Sequence, residues 1–198
     1  MRKRIIVQIT FLLCVLHVAH AQDAMPASGG VVINGVIWAA FNVDAPGTFA
    51  KTPESAGKFY QWNCKTVSGS KAVISTASKW ERANDPSPKG WRVPTSEELN
   101  TLFDTTKVTH ERVALNGVVG CKFTDKESGY SLFFPAAGYS NYSTGEFYNA
   151  GVDGYYWSAT PLEKSEAEAY YLDLGESGTQ VSYYYRSSGF SVRPVRAE

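Results

Sequence analysis

Residues 138–149 read Gly-Tyr-Ser-Asn-Tyr-Ser-Thr-Gly-Glu-Phe-Tyr-Asn, a run that interleaves aromatic rings with amides and hydroxyls. A ring offers a flat apolar surface on which a sugar or a peptide can stack, and a neighbouring amide or hydroxyl supplies the directional hydrogen bond. Tyr139, Asn141, Tyr142, Tyr148 and Asn149 of this run, with Asp153 and Tyr155 just beyond it, are therefore the candidate ligand-binding residues. Ten of the twelve tyrosines lie between Tyr139 and Tyr185, which suits either a recognition surface or a set of half-buried strands. A structured loop with its rings packed inward is the competing reading.

Residues for covalent or metal chemistry are scarce. Of the three histidines, His17 and His20 sit in the N-terminal leader, so His110 alone could serve a Ser-His-Asp triad and a multi-histidine metal site is excluded. His110 falls in the polar stretch Lys107–Arg112 and is expected in a solvated loop. No catalytic residue, metal ligand or cofactor is assigned. Beyond the leader two cysteines are left, Cys64 and Cys121; in an exported chain such a pair suggests one disulfide, with two unpaired buried thiols as the alternative.

Export is what the N-terminus indicates. Arg2, Lys3 and Arg4 precede a mostly apolar run from Ile5 to Val18, and Ala19-His20-Ala21 supplies a small-x-small cleavage pattern, so residues 1–21 are expected to be a signal peptide. Residues 22–30 are expected to be a flexible leader and 31–198 a single domain, placed in the periplasm, on the outer surface or outside the cell. Lys+Arg and Asp+Glu balance at 19 each, and losing the three basic residues of the signal leaves a mildly acidic chain, a poor nucleic-acid binder. No second apolar run suggests a membrane span in the mature chain.

The elements that would position these residues can be outlined. Asn34-Gly35 between two β-rich arms reads as a hairpin, and Thr52-Pro53-Glu54 as the start of a short helix. A short strand is expected around Ala72-Val73-Ile74. Trp80–Leu99 reads as a rigid Pro-rich corner leading into a helix. Thr95-Ser96-Glu97-Glu98 is a capping box, and Leu99, Leu102 and Phe103 form one apolar helix face, expected to pack on a sheet. Six short strands follow, at 118–123, 131–134, 155–158, 169–174, 180–185 and 190–195. The expected class is α+β, short helices packed on an antiparallel sheet of short strands.

Four segments together resemble the Fibrobacter succinogenes major paralogous domain. They are Asn34–Ala39 with Asn42–Asp44, Asn84–Thr95, Leu132–Tyr139, and Gly154–Thr160 with Gly189–Val195, in the family's order and across nearly the whole mature chain. The resemblance implies a C-type-lectin-like fold related to the formylglycine-generating-enzyme core, and export in Gram-negative bacteria, but no agreed activity. Ser87 stands where many relatives carry Cys, and relatives often carry Arg at the positions of Cys64 and Cys121, which favours pairing of these two with each other.

The functional inferences that such a fold invites are weakened by particular residues. The usual calcium-lectin motif needs Asn and Asp after a strand Trp, and here Ser158 and Ala159 follow Trp157. Asp153, Glu163, Glu166 and Asp173 could otherwise approach one ion. The related oxidase chemistry needs reactive cysteines near the C-terminal strands, and the last hundred or so residues contain only Cys121. Arg193 is expected to bridge to an internal carboxylate. The expectation is an exported cell-envelope binding or adhesion module for a surface glycan or protein. A structural or assembly subunit of a surface appendage is the alternative, and an enzyme is placed last.

Overall fold

Asn34 and Gly35 take positive φ values of 46° and 79°, the conformation that a tight two-residue hairpin turn demands. The same dipeptide at Asn116-Gly117 (φ 50° and 84°) closes a second hairpin. The computed structural model describes residues 30–69, 75–176 and 178–197. The expected signal peptide, nearly all of the leader and the strand expected around 72–74 lie outside the described residues.

In chain order the elements are β1 (Gly30–Ile33), β2 (Val36–Ala39), β3 (Trp91–Arg92), α1 (Ser96–Asn100), β4 (Val108–Leu115), β5 (Val118–Asp125), β6 (Ser131–Pro135), β7 (Tyr139–Ser140), β8 (Phe147–Tyr148), β9 (Gly154–Pro161), β10 (Glu168–Gly175), β11 (Gly178–Tyr185) and β12 (Val195–Arg196). They form four small sheets, ordered β1-β2-β12-β3, β4-β5-β6, β7-β8 and β11-β10-β9. Every pairing between these strands is antiparallel.

The expected α+β class, with its C-type-lectin-like set of short helices on one sheet, is corrected to a β-rich fold of several small sheets with one short α-helix among the described residues. Two local causes account for the difference. Thr52–Ser55 makes a single turn, closed by Ser55 N–H donating to Thr52 O at 3.2 Å, and Gly57 then takes φ +70° with its Cα against Val43 O, so no helix continues. The polar stretch 107–112, expected as a loop, falls almost wholly in β4, because pairing with β5 satisfies its backbone while the side chains of 109–112 stay exposed. His110 is thus a strand residue, its ring edge-on to Phe103 at 6.0 Å and tilted on Phe123 at 5.7 Å.

The capping box forms as expected, but α1 ends at Asn100, and Leu102 and Phe103 follow it in a single 3-10 turn. Thr95 accepts from Glu98 N–H at 3.2 Å and Glu98 Oε2 accepts from Thr95 N–H at 2.7 Å, the reciprocal capping box. Arg92 grips the same Glu98 with two bonds of 2.7 Å. Leu99 and Leu102 are buried with Tyr156, Leu172 and Leu174 of the β9–β10 sheet, together with Trp38, Phe123 and Phe134.

That sheet is apolar on both faces. Tyr156, Leu172 and Leu174 point to the first core, whereas Trp157, Ala169 and Tyr171 point to a second one with Tyr60, Trp62 and Phe190. The C-terminal segment stitches the sheets together. Gly189 and Ser140 exchange two bonds, Phe190 and Tyr60 exchange two more, Val43 N–H reaches Val192 O, and Ala39 N–H reaches Pro194 O. Arg193 is buried with no carboxylate partner among the described residues, contrary to the expected bridge. Its guanidinium donates instead to Asn42 Oδ1 (2.7 Å), Ala40 O (2.6 Å), Ala39 O (3.2 Å) and Phe133 O (3.0 Å).

Candidate functional site

Phe190 lies at the centre of a ring cluster on the second face of the β9–β11 sheet. It stacks on Trp157 at 4.2 Å and touches Tyr139, Tyr155, Tyr171 and Tyr184 at centroid distances of 5.0–6.1 Å. Strand alternation explains the gathering: Tyr155 of β9, Tyr171 of β10 and Tyr184 of β11 all project to this face, and the C-terminal segment inserts Phe190 beneath them. The β7–β8 hairpin adds Tyr139 and Tyr148, stacked at 5.6 Å and directly opposed in register. Gly138 permits this placement, with φ +70° and its Cα packed against Tyr148 O and the Ala150 backbone. Phe190 and Trp157 form a buried floor, Tyr139 and Tyr155 are half-buried, and Tyr148 and Tyr184 are exposed.

Two carboxylates border the rings. Asp153 Oδ2 accepts from Asn149 Nδ2 at 2.9 Å and from Tyr155 OH at 3.2 Å, and Asn149 also reaches Tyr155 OH at 3.0 Å. On the adjacent strand Asp173 Oδ2 accepts from Tyr171 OH at 3.2 Å. Burial raises the Asp173 carboxyl above its ordinary range, a shift opposed by the Tyr171 hydrogen bond and reinforced by the Asp153 charge. Burial, opposed by the Asn149 bond and aided by Asp153, pushes the Tyr155 phenol up to about 12. Tyr171 is raised by burial and then by Asp173. These phenols are neutral donors at physiological pH.

Five of the seven nominated residues, Tyr139, Tyr148, Asn149, Asp153 and Tyr155, come together here. Asn141 does not join them: its Oδ1 caps the hairpin turn, accepting from Ser143 N–H (2.8 Å) and Ser143 Oγ (2.7 Å). Tyr142 is exposed on the same turn, near enough to Tyr184 to contribute to its raised phenol pKa, which burial chiefly sets. Tyr171, Tyr184 and Phe190 were not nominated. The i, i+2 spacing of Tyr171 and Asp173 within a strand-like run was the available signal, because it puts ring and carboxylate on one face.

The expected disulfide is not formed: Cys64 and Cys121 are both free thiols. Cys121 is buried within β5, opposite Arg112 of β4 and Phe134 of β6, while Cys64 follows Trp62 and Asn63 and lines an open polar cleft with Ser75, Glu81 and Asn84. Burial, only partly offset by Arg112, pushes the Cys121 thiol up to about 12, so it stays protonated. A second cleft lies between His110, Arg112, Cys121 and the β10–β11 turn. Glu163 and Glu166 lie in the β9–β10 connection, at the far end of those strands from Asp153 and Asp173. Among the described residues no group of three or more His, Cys, Asp or Glu side chains is placed to hold a metal ion. Nor is any helix among them long and apolar enough to cross a membrane.

The chain is thus a β-rich domain that carries an aromatic face with an acidic border. It belongs to the Fibrobacter succinogenes major domain family, whose sequence model matches residues 31–196. No curated protein and no solved structure matches it. The motif residues that carried the resemblance are largely architectural: Asn42 holds Arg193, Asp85 accepts from Ser87 and Val93 N–H, and Trp38 and Trp157 are buried.

Proposed function

We propose that the protein is an exported binding module of the cell envelope that holds a glycan chain on the face formed by Tyr139, Tyr148, Tyr155 and Tyr184, with buried Tyr171 beneath them. The observation that carries this reading is the convergence of four tyrosines from two sheets on buried Phe190, with Tyr148 stacked on Tyr139 and hydrogen-bonding Asn149 and Asp153 at their edge. Sugars present apolar ring faces and equatorial hydroxyls, and the tyrosines and their polar neighbours offer the matching surfaces. The site is a face rather than a deep pocket, which suits a segment of a long polymer better than a small metabolite. The signal-like N-terminus supports export, and the unreactive Cys121 thiol supports binding over thiol chemistry.

A glycan array probed with residues 22–198 tests the reading. Exposed Tyr148 and Tyr184, each replaced by Ala, should weaken any hit by about fivefold or more without changing the melting temperature. Absence of any glycan ligand, or hits indifferent to both substitutions, would overturn it.

A further inference from the structure

β11 is the outer strand of its sheet, paired among the described strands only with β10. The ladder shows which of its backbone groups face out. Arg186 N–H, one residue past the strand, donates to Ala167 O in the same register. Backbone groups alternate in direction along a strand, so the even-numbered residues face β10. Thr179, Val181, Tyr183 and Tyr185 therefore turn their N–H and C=O groups outward. Among the described residues only one of these groups is taken: Tyr185 O accepts from Ser188 N–H at 2.9 Å.

An open row of donors and acceptors invites another strand, and long outer edges are ordinarily guarded by charge or proline. β4, the outer strand of the β4–β6 sheet, is guarded in this way by exposed His110, Glu111 and Arg112. β11 reads Gly-Thr-Gln-Val-Ser-Tyr-Tyr-Tyr, with no charged residue and no proline. Tyr183 and Tyr185, both in the outward-facing set, are 52% and 54% exposed.

We propose that this edge pairs antiparallel with β11 of a second copy of the chain. Outward groups recur every second residue, so a strand that pairs with itself must match residues whose numbers sum to an even value. Centred on Ser182, that register sets Tyr183 against Val181 of the second copy and Tyr185 against its Thr179. Both are aromatic–β-branched pairs, a favourable cross-strand combination, and the two-fold axis makes each occur twice. With no charge along the strand, no like charges are opposed. Residues 22–29, which precede β1, are a poorer occupant, because Pro26 has no N–H for the ladder and Asp23 would bring a carboxylate. The axis stands perpendicular to the sheet. Two three-stranded sheets thus become one, with both tyrosine faces on the same side and Tyr184 of each copy beside the junction.

Sedimentation velocity of residues 22–198 over a range of concentrations should show a monomer–dimer equilibrium. Tyr183→Lys puts a charge at the junction from an exposed position, and should weaken the dimer by about tenfold or more with the melting temperature unchanged. In a Cys64→Ser background, Ser182→Cys should cross-link to its own counterpart, because facing residues of a non-hydrogen-bonded pair lie ~4.5 Å apart at Cα, within disulfide reach. Gln180→Cys should not, since in this register it lies roughly 14 Å from its counterpart. Amide exchange reads the edge itself: Val181 and Tyr183 N–H should be open in the monomer and protected as the dimer accumulates. A monomer at every concentration, a dimer indifferent to Tyr183→Lys, or cross-linking by Gln180→Cys and not by Ser182→Cys would overturn the proposal. So would protection of the Val181 and Tyr183 amides in the monomer, which would mean that the chain covers its own edge. None of these outcomes bears on the glycan reading, which the array tests separately.

Discussion

Arg193→Met removes the guanidinium that joins the C-terminal segment to β2, the Asn42 turn and β6. Four acceptors now receive its N–H groups, at 2.6–3.2 Å, inside a site where Arg193 is 1% exposed. Leaving a buried acceptor without a donor costs ~1–2 kcal/mol, so the gross loss is about 4–8 kcal/mol. Against this, the buried charge has no anion beside it among the described residues, and burial lowers its pKa to about 10, opposed by Tyr156. Removing it therefore relieves a desolvation penalty of roughly several kcal/mol. The net expectation is a loss of about 2–4 kcal/mol, a fall in melting temperature of ~4–16 °C for a domain of this size. Arg193→Lys sharpens the test. It keeps the buried charge but not the planar fork, and should be at least as destabilising as Met. Differential scanning calorimetry of the three proteins reads both quantities. A Lys variant that melts with the wild type would show that charge alone matters and would refute the hydrogen-bond account of this residue.

Leu102→Asp places a carboxylate among Leu99, Leu172 and Leu174 and should cost about 4 kcal/mol or more, seen as a lowered midpoint in urea; a wild-type midpoint would mean the helix face is wrongly assigned. Asp173→Asn should raise the melting temperature near neutral pH. Burial holds the Asp173 carboxyl above its unfolded value, so the folded state favours the protonated form; that stability is present in acid and is lost as pH rises through the folded pKa. The advantage of Asn should therefore shrink to nothing below the unfolded carboxyl range of about pH 4, and an advantage that persists in acid would contradict the linkage. Iodoacetamide without reductant should label half-exposed Cys64 in the native protein and buried Cys121 only after unfolding; two thiols protected even in denaturant would mean a disulfide exists.

Much of the local structure was legible because short-range chemistry decides it. Asn34-Gly35 can hardly avoid a hairpin, and Thr95 with Glu98 caps whatever helix follows. Five of the six later strands were marked by short β-rich runs between Gly, Asn, Asp and Ser, whereas 190–195 is not the expected strand but a segment of isolated bridges that leads into β12. The reading broke where tertiary pairing overrode local character. The polar stretch 107–112 joined β4 because β5 offered a ladder, and the Pro53 turn stopped at Gly57 because the chain there passes against Val43. The cysteine pairing failed for a similar reason, since nothing in sequence measures the separation of Cys64 from a residue inside β5. For the candidate site, tyrosine density pointed to the residues that cluster around Phe190, but the partition within the cluster was hidden. Asn141 is spent on its own turn, whereas Asp173 and Tyr184 reach the rings only through register with β9 and β10.

The most direct test of the binding face is an NMR titration of the folded domain with the tightest glycan from the array, following backbone amides and tyrosine ring resonances. Shifts should centre on Tyr139, Tyr148, Tyr155 and Tyr184, with Asn149 and Asp153 at the margin. Shifts centred instead on the Asn63–Asn84 cleft or on the cleft beside His110 and Thr179, with these tyrosines unmoved, would contradict the assignment of the aromatic face as the binding surface.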